Sequence, residues 1–397
     1  MLLERAATIT RPEHRLLLLL GRTHASDAVY REAQKLIDGG AVDWKFLIDL
    51  AQAHGVLSLL HRHLKVLRPA EIPPSLDSHM QTVVMYSTLL NLEMTREVLK
   101  LSDLMAAANI ETLVYKGPAL ALLAYDGVGL RQFGDIDALV PAQKLRQAKE
   151  LLLEQNYVAI SSPEHRSIQK DDHDRSYQGY DMISPNGRIA LDLQERFGLR
   201  YSSFDLGFEE LWERRQKIPL AGRSVPTLST EDYMLVLSAH GTQHRWALLK
   251  WVCDIAELVR RSPNLDWGRV LKRAEAMQIE RMLHIGLLLA HELLDMPLAD
   301  AIAHRVQSDT QAIAFMNSVV HWMFHEAVGL PMLLQRARFD YGFDLSVRPR
   351  LEDKIQCILF LTRRRLMRRV GRTPEPHATV VGPSPSQSDG LPPAPGG

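Results

Sequence analysis

Residues 115–140 read YKGPALALLAYDGVGLRQFGDIDALV, and two aspartates in them, Asp135 and Asp137, sit two apart around the apolar run Ile136-Asp137-Ala138-Leu139-Val140. That run predicts a short buried strand. Successive strand side chains alternate between faces, so residues two apart project together. Any fold that accepts this segment must aim two carboxylates at one point. Like charges that close repel, and burying them is costly unless something positive lies between them. A divalent cation meets that need. Mg²⁺ (or Mn²⁺) takes one or two protein carboxylates, with water and substrate phosphates completing its shell.

The neighbouring residues fit the same chemistry. Glu111-Thr112-Leu113-Val114-Tyr115 predicts a preceding strand, and Lys116-Gly117-Pro118 follows it. A glycine at a strand end lets backbone N–H groups approach a phosphate, and the lysine adds a point charge. Lys116 and Gly117 are therefore candidate phosphate-binding residues. Ala119 to Tyr125 has helical composition, with Pro118 where a first turn tolerates it. Further on, Tyr180-Asp181-Met182-Ile183 and Arg188-Ile189-Ala190-Leu191-Asp192-Leu193 flank Ser184-Pro185-Asn186-Gly187. The Asn-Gly pair signals a hairpin. Ile189, Leu191 and Leu193 then share one face, leaving Ala190, Asp192 and Gln194 on the other.

The pattern K-G-x-A-L…Y…R…G-D-I-D…L-V resembles the nucleotidyltransferase superfamily of the polymerase-beta type, and within it a poorly characterised bacterial branch. It is also similar to abortive-infection toxins with a K-G-G…R-x-S-x-D-x-D signature. Eighteen residues separate Gly117 from Asp135, which suits the K-G branch. Pro118 stands where many members carry a serine that contacts phosphate. The resemblance implies an α+β fold, a small mixed β-sheet core flanked by N- and C-terminal helical regions. It implies Mg²⁺ (or Mn²⁺) held by Asp135, Asp137 and a third carboxylate on a neighbouring strand. Asp192 is the candidate for the third, with Asp181 and Glu195 as weaker substitutes. Gln194 stands where the branch often has a histidine. The implied reaction moves a nucleoside monophosphate from an NTP, ATP by default, to a hydroxyl acceptor and releases pyrophosphate. Genes of this branch tend to lie near those for polysaccharides or peptide natural products, which suggests a glycan or a natural-product peptide as acceptor. Arg131 reads equally as an orienter of the carboxylate strand that helps bind the nucleotide and as half of a structural ion pair.

The stretch Asp232 to Arg260, DYMLVLSAHGTQHRWALLKWVCDIAELVR, predicts helix. His240 and His244 are four apart, which places them on one helical face. A zinc site would need a third ligand, for which Asp254 is the obvious candidate, and no glutamate follows His240 as a zincin motif requires. The favoured reading makes these histidines hydrogen-bonded groups at a helix or domain interface. By resemblance His244, Lys250 and Asp254 face the cleft, and Lys250 meets a triphosphate; a helix-surface lysine is otherwise simply solvated.

The remaining chain bounds these expectations. A length of 397 residues allows two or three domains. The expected order is a helical region over 1–105, the nucleotidyltransferase core over 106–200, a helical domain over 201–372 and a disordered tail over 373–397. Met80 to Ala108 reads as one long helix or two, and Leu145 to Leu153 as an amphipathic helix covering one face of the sheet. Lysine plus arginine and aspartate plus glutamate each total 47, so no net field recruits nucleic acid. Cys253 and Cys357 suit buried free thiols better than a disulfide framework. Leu16 to Leu20 is too short to span a membrane, and charged residues interrupt any signal-peptide pattern, so the expected location is cytoplasmic. A helix over 354–370 carries six arginines between Arg363 and Arg372, read as a solvated helix end or an anion-binding face. Two other functional classes stay open: a catalytically degenerate nucleotide-binding scaffold of a biosynthetic operon, and a toxin-type transferase acting on tRNA or protein.

Overall fold

The computed structural model describes residues 9–160, 179–198 and 204–324, with the single positions 343, 347, 352, 354 and 355. Most of the expected C-terminal helix, its arginine run, the tail and Cys357 lie outside the described residues.

Four short helices open the chain: α1 (Pro12–Leu20), α2 (Asp27–Asp38), α3 (Trp44–Ala53) and α4 (Leu57–Leu67). Ser26 caps α2 by accepting from Val29 N–H, and Asp43 caps α3 by accepting from Phe46 N–H. Such caps satisfy amides that a helix start leaves without partners. The segment ending at Ala107 is one helix, α5 (Pro74–Ala107), 34 residues long. The core elements follow: β1 (Leu113–Tyr115), α6 (Gly117–Ala124), β2 (Asp135–Leu139), α7 (Leu145–Glu154), β3 (Val158–Ala159), β4 (Gly179–Ile183) and β5 (Ala190–Gln194). They make a five-stranded sheet in the order β1-β2-β5-β4-β3. β2 and β5 run parallel while the other neighbours are antiparallel, so the sheet is mixed. The hairpin between β4 and β5 turns at Ser184–Gly187, where Gly187 takes φ +73°.

Alternation along the strands divides the sheet into two faces. Val114, Ile136, Ala138, Met182, Leu191 and Leu193 pack into one hydrophobic cluster with Leu145, Ala148 and Leu152 of α7 and Val98, Leu101 and Met105 of α5. The opposite face carries Tyr115, Asp137 and Asp192 and turns toward a second, larger cluster.

Past residue 201 the chain is not helical throughout, as the sequence had suggested. β6 (Arg196–Gly198) pairs with β7 (Asp205–Gly207), α8 (Phe208–Glu213) follows, and β8 (Gln216–Leu220) pairs with β9 (Arg223–Thr227). Ala221 and Gly222 at the tip of the second hairpin take φ +47° and +80°, which matches the twist of a tight two-residue turn. Ile218, Leu220 and Val225 join the sheet's cluster, and Thr227 Oγ1 donates to Val114 O at 2.7 Å, tying β9 to β1.

The helices then resume with α9 (Thr230–Gln243), α10 (Leu249–Arg261), α11 (Trp267–Ala276), α12 (Glu280–Leu294), α13 (Asp300–Ser308) and α14 (Thr310–Phe324). Their apolar faces form one continuous core with α1, α3 and α4. Polar ties cross the same junction. Cys253 Sγ, a free thiol, donates to Gly21 O at 3.1 Å, Leu249 N–H donates to His54 Nδ1 at 3.2 Å, and Arg22 pairs with Asp295 at 3.1 Å. Among the described residues no helix is long and apolar enough to cross a membrane.

Candidate active site

Strand register decides which side chains meet. On parallel strands β2 and β5, Asp137 lies opposite Asp192, and on β4 Asp181 lies opposite Asp192 in turn. Tyr115 lies opposite Asp137 from β1. One row across four strands thus reads Tyr115, Asp137, Asp192, Asp181. Asp135 projects from the same face at the mouth of β2 and is exposed, whereas Asp137 is buried with 3% of its surface accessible.

Lys116 closes this row from above. Its ammonium donates to Asp137 Oδ1 at 2.7 Å, and both side chains are largely buried. The lysine stands at the sharp turn from β1 into α6 with φ +55° and ψ −146°, and Gly117 follows at φ +40°. Positive φ strains a residue with a Cβ, and such strain collects at functional sites. A Cβ at Gly117 would lie 3.4 Å from Asp135 O, so the turn runs close beside the mouth of β2. Burial works to lower the Lys116 ammonium's pKa, but the carboxylates of Asp137 and Asp135 hold it above the ordinary lysine value.

The carboxylates respond oppositely. Burial pushes Asp137 up to about 6 even with Lys116 beside it, and Asp135 adds repulsion. Burial pushes Asp192 up to about 7, reinforced by Asp137 and Asp181. Asp192 also accepts a hydrogen bond from the amide of Gln194, whose oxygen in turn accepts from Tyr115 Oη at 2.9 Å. Asp137 Oδ2 is buried with no hydrogen-bond partner among the described residues. An orphaned buried oxygen with an elevated pKa favours a further positive group.

The residues fit a hard divalent cation in kind, because the donors are carboxylate oxygens. Among the described residues, however, no three carboxylate, imidazole or thiolate groups are arranged to hold a metal ion. The cation touching Asp137 is the Lys116 ammonium. Asp254, the third ligand that a zinc site on His240 and His244 would need, accepts hydrogen bonds from Arg131 and Tyr125 instead.

Asp254, on α10 and 1% exposed, accepts from Arg131 Nε at 2.7 Å and Nη2 at 2.8 Å, and from Tyr125 Oη at 2.8 Å. The forked guanidinium fits a carboxylate in two parallel bonds. Arg131 is 7% exposed and committed to this pair, so the ion-pair reading describes its contacts. Asn91 of α5 adds a second clamp: its side-chain amide donates to Val128 O at 2.6 Å and Arg131 O at 2.9 Å. The loop that delivers Asp135 is therefore held from two helices.

His240 and His244 do not share one uninterrupted helix. α9 ends at Gln243, and Arg245 and Trp246 take φ +52° and +51° before α10 begins. Trp246 causes the break, since its fully buried indole fills the space beside Gly241 and Gly286, where Cβ atoms would approach within 2.5 and 2.9 Å of it. The two imidazoles still lie close, with ring centres 4.6 Å apart, and both pack on Trp251. Burial, joined by the positive charges of Lys116, Lys250 and Arg131 and by the neighbouring His244 imidazole, holds the His240 pKa well below its usual value, so it is neutral at pH 7.

Lys250 lies closer to the site than a solvated helix lysine would. Its stem packs over Gly55, where a Cβ would come within 2.8 Å of Lys250 Cδ, and Gly55 takes φ +69°. Burial and the nearby Arg131 lower its pKa, while Asp254 and Asp135 work to raise it. Among the described residues its ammonium makes no hydrogen bond or ion pair. Sequence reasoning had passed over Asn91, Tyr125, Gly55 and Trp251. Asn91 carried a faint signal as an amide on a helix face otherwise packed with apolar side chains; the others carried none.

A family model described as an uncharacterised nucleotidyltransferase matches residues 40–295 of this sequence. Two solved structures show a likeness. One is the lincomycin-bound lincosamide antibiotic adenylyltransferase LnuA, at 16% identity over 41% of this chain and 94% of that chain, with a TM-score of 0.28. The other is an antigenic nucleotidyltransferase-like protein from Paracoccidioides brasiliensis, at 16% identity over 54% of this chain and 96% of that chain, with a TM-score of 0.30. Superpositions this loose do not bear on individual residues. No curated protein matches the sequence.

Proposed function

The chain belongs to the uncharacterised nucleotidyltransferase family, and on that premise we propose that it transfers a nucleoside monophosphate from an NTP to a hydroxyl acceptor, with Asp135, Asp137 and Asp192 as the reacting carboxylates. The observation that carries this reading is the register of Asp137 against Asp192, with Asp135 at the strand mouth and the glycine turn beside it.

Each residue has a task in this reading. The first amides of α6, at Gly117 and Ala119, have no partners within the helix and suit phosphate oxygens. Lys116 and Lys250, both within electrostatic reach of Asp135, add positive charge beside the carboxylates. Asp192, titrating near 7, suits a group that takes the proton from the acceptor hydroxyl as its oxygen attacks the α-phosphorus. The bond from that phosphorus to the bridging oxygen breaks, and pyrophosphate leaves. Asp135 and Asp137 would hold Mg²⁺ or Mn²⁺, which when bound supplies charge stabilisation and a more acidic hydroxyl. Arg131 acts at one remove by fixing the loop against Asp254. ATP is the default nucleotide, and the acceptor class proposed is a glycan or a modified peptide.

Thermal unfolding tests the assignment. Wild type and an Asp135→Asn/Asp137→Asn variant are heated with each NTP, with and without Mg²⁺ or Mn²⁺. Ligand at about a hundred times its dissociation constant adds about 2.7 kcal/mol, enough to raise the midpoint by a few degrees. A metal-dependent rise in wild type alone is expected. Equal midpoints for both proteins with every nucleotide would overturn it.

A further inference from the structure

Lys116 has a feature that phosphate binding alone does not explain: its ammonium rests on the carboxylate expected to hold a metal ion. A lysine waiting only for phosphate need not be paired, and Lys250 among the described residues makes no ion pair. We propose that Lys116 is the resident counter-cation of the site, so that a bare divalent cation is excluded and only a metal–nucleotide complex, which offers Lys116 a phosphate in exchange for Asp137, is admitted. This rests on the nucleotidyltransferase reading above and adds a rule for what enters.

Three observations support the exchange. Nζ lies 2.7 Å from Asp137 Oδ1, so an incoming cation sharing that carboxylate would meet a like charge within a few ångströms. At such separations repulsion in a partly desolvated site outweighs the attraction of one free oxygen. Asp137 Oδ2 is buried and unpartnered, so the carboxylate is only half used and has a coordination position to give. Lys116 also holds its place through a strained backbone, with φ +55° and ψ −146°. A contact kept under strain is poised to be released when a better partner arrives. A triphosphate is that partner. It carries its own cation, neutralises the departing ammonium, and leaves no charge in the cleft without a counter-charge.

The test measures Mn²⁺ binding rather than turnover, at pH 8, above the values of about 6 and about 7 that Asp137 and Asp192 take with Lys116 in place, and is repeated at pH 9 to remove proton competition in the variants. Wild type, Lys116→Met and Lys116→Arg are titrated with Mn²⁺ alone and with Mn²⁺ plus a non-hydrolysable NTP analogue, following free Mn²⁺ by electron paramagnetic resonance. Wild type and Lys116→Arg should bind Mn²⁺ weakly alone and much more tightly with the analogue. Lys116→Met should bind Mn²⁺ alone at least about tenfold more tightly than wild type, because one repelling charge is gone. It should also lose most of the gain from the analogue. Lys116→Gln, which can still donate to Asp137, replaces the methionine variant if that chain does not fold. Equal affinity of wild type and Lys116→Met for Mn²⁺ alone overturns the exclusion and leaves the proposed function standing. Absence of Mn²⁺ binding in every protein, with or without the analogue, overturns both.

Discussion

Two clusters of buried charge lie next to each other in this molecule, and they are finished to different degrees. In the first, Asp254 receives two bonds from Arg131 and one from Tyr125, all between 2.7 and 2.8 Å. In the second, Asp137 receives one bond from Lys116 while its other oxygen has no partner among the described residues, and Asp192 is pressed toward neutrality by burial and then by Asp137 and Asp181. Both clusters join elements far apart in the chain and both exclude most water. The closed one spends all its bonding capacity on holding the loop before β2 against α10. The open one keeps capacity in reserve, at the cost of like charges that repel. Completeness of hydrogen bonding thus separates the part that builds from the part proposed to react.

Substitutions should break that contrast in opposite ways. The largest loss of stability is expected for Arg131→Met, which leaves Asp254 as a buried charge and should cost about 3–5 kcal/mol in chemical denaturation. A loss below about 1 kcal/mol would show that the closed cluster is dispensable. Asp137→Asn should instead lower turnover about a thousandfold or more, equivalent to about 4 kcal/mol of activation free energy. Its unfolding free energy should stay within about 1 kcal/mol of wild type, because an amide can still accept from Lys116. Retained metal-dependent pyrophosphate release in this variant would contradict the site.

A pH titration sharpens the comparison without changing a contact. In the folded chain burial pushes Asp137 up to about 6 and Asp192 up to about 7, above the ordinary aspartate value of 3.8. Raised carboxylates bind more protons folded than unfolded, so they favour the folded state most below the unfolded pKa. That benefit is lost as pH rises through 6 and 7. Metal-free protein should therefore lose stability as pH rises from about 4 to about 7.5, measured by chemical denaturation across that range. Asp192→Asn should flatten the curve, and an unchanged curve would remove Asp192 from the coupled group. The smallest effect is expected for Lys250→Met. Nucleotide KM should rise about fivefold, or about 1 kcal/mol, with kcat and stability nearly unchanged. An unchanged KM would return Lys250 to the role of a packed side chain.

What could be read from the sequence was what is local. The DxD strand, the Asn-Gly hairpin and the alternation that puts Asp192 with Gln194 all follow from a period of two over a few residues. Their neighbours across β2 and β5 follow once the hydrophobic faces are aligned. The second hairpin was missed because Ala221-Gly222 lacks the asparagine that marks the first, and because prolines at 219 and 226 weaken a strand pattern. The break after Gln243 depends on an indole that fits beside Gly286 of another helix, which no window around Trp246 contains. The partnership of Arg131 with Asp254 spans 123 residues. Lys250 owes its lost hydration to Gly55, still farther back in the chain.

The contact between Arg22 and Asp295 spans 273 residues, and α1 shares its core with α12. During synthesis, then, the leucine run of α1 is made long before α12, one of the surfaces it packs on. At roughly 5–20 residues per second, the delay is roughly 15–55 s. Over that interval α1 has only its early neighbours α2, α3 and α4 to pack on, and the apolar surface that meets α12 waits while the strands of the sheet are completed between them. Early release or a stalled ribosome would leave that surface bare, and expression yield should depend on translation speed and on the helpers that shield new chains.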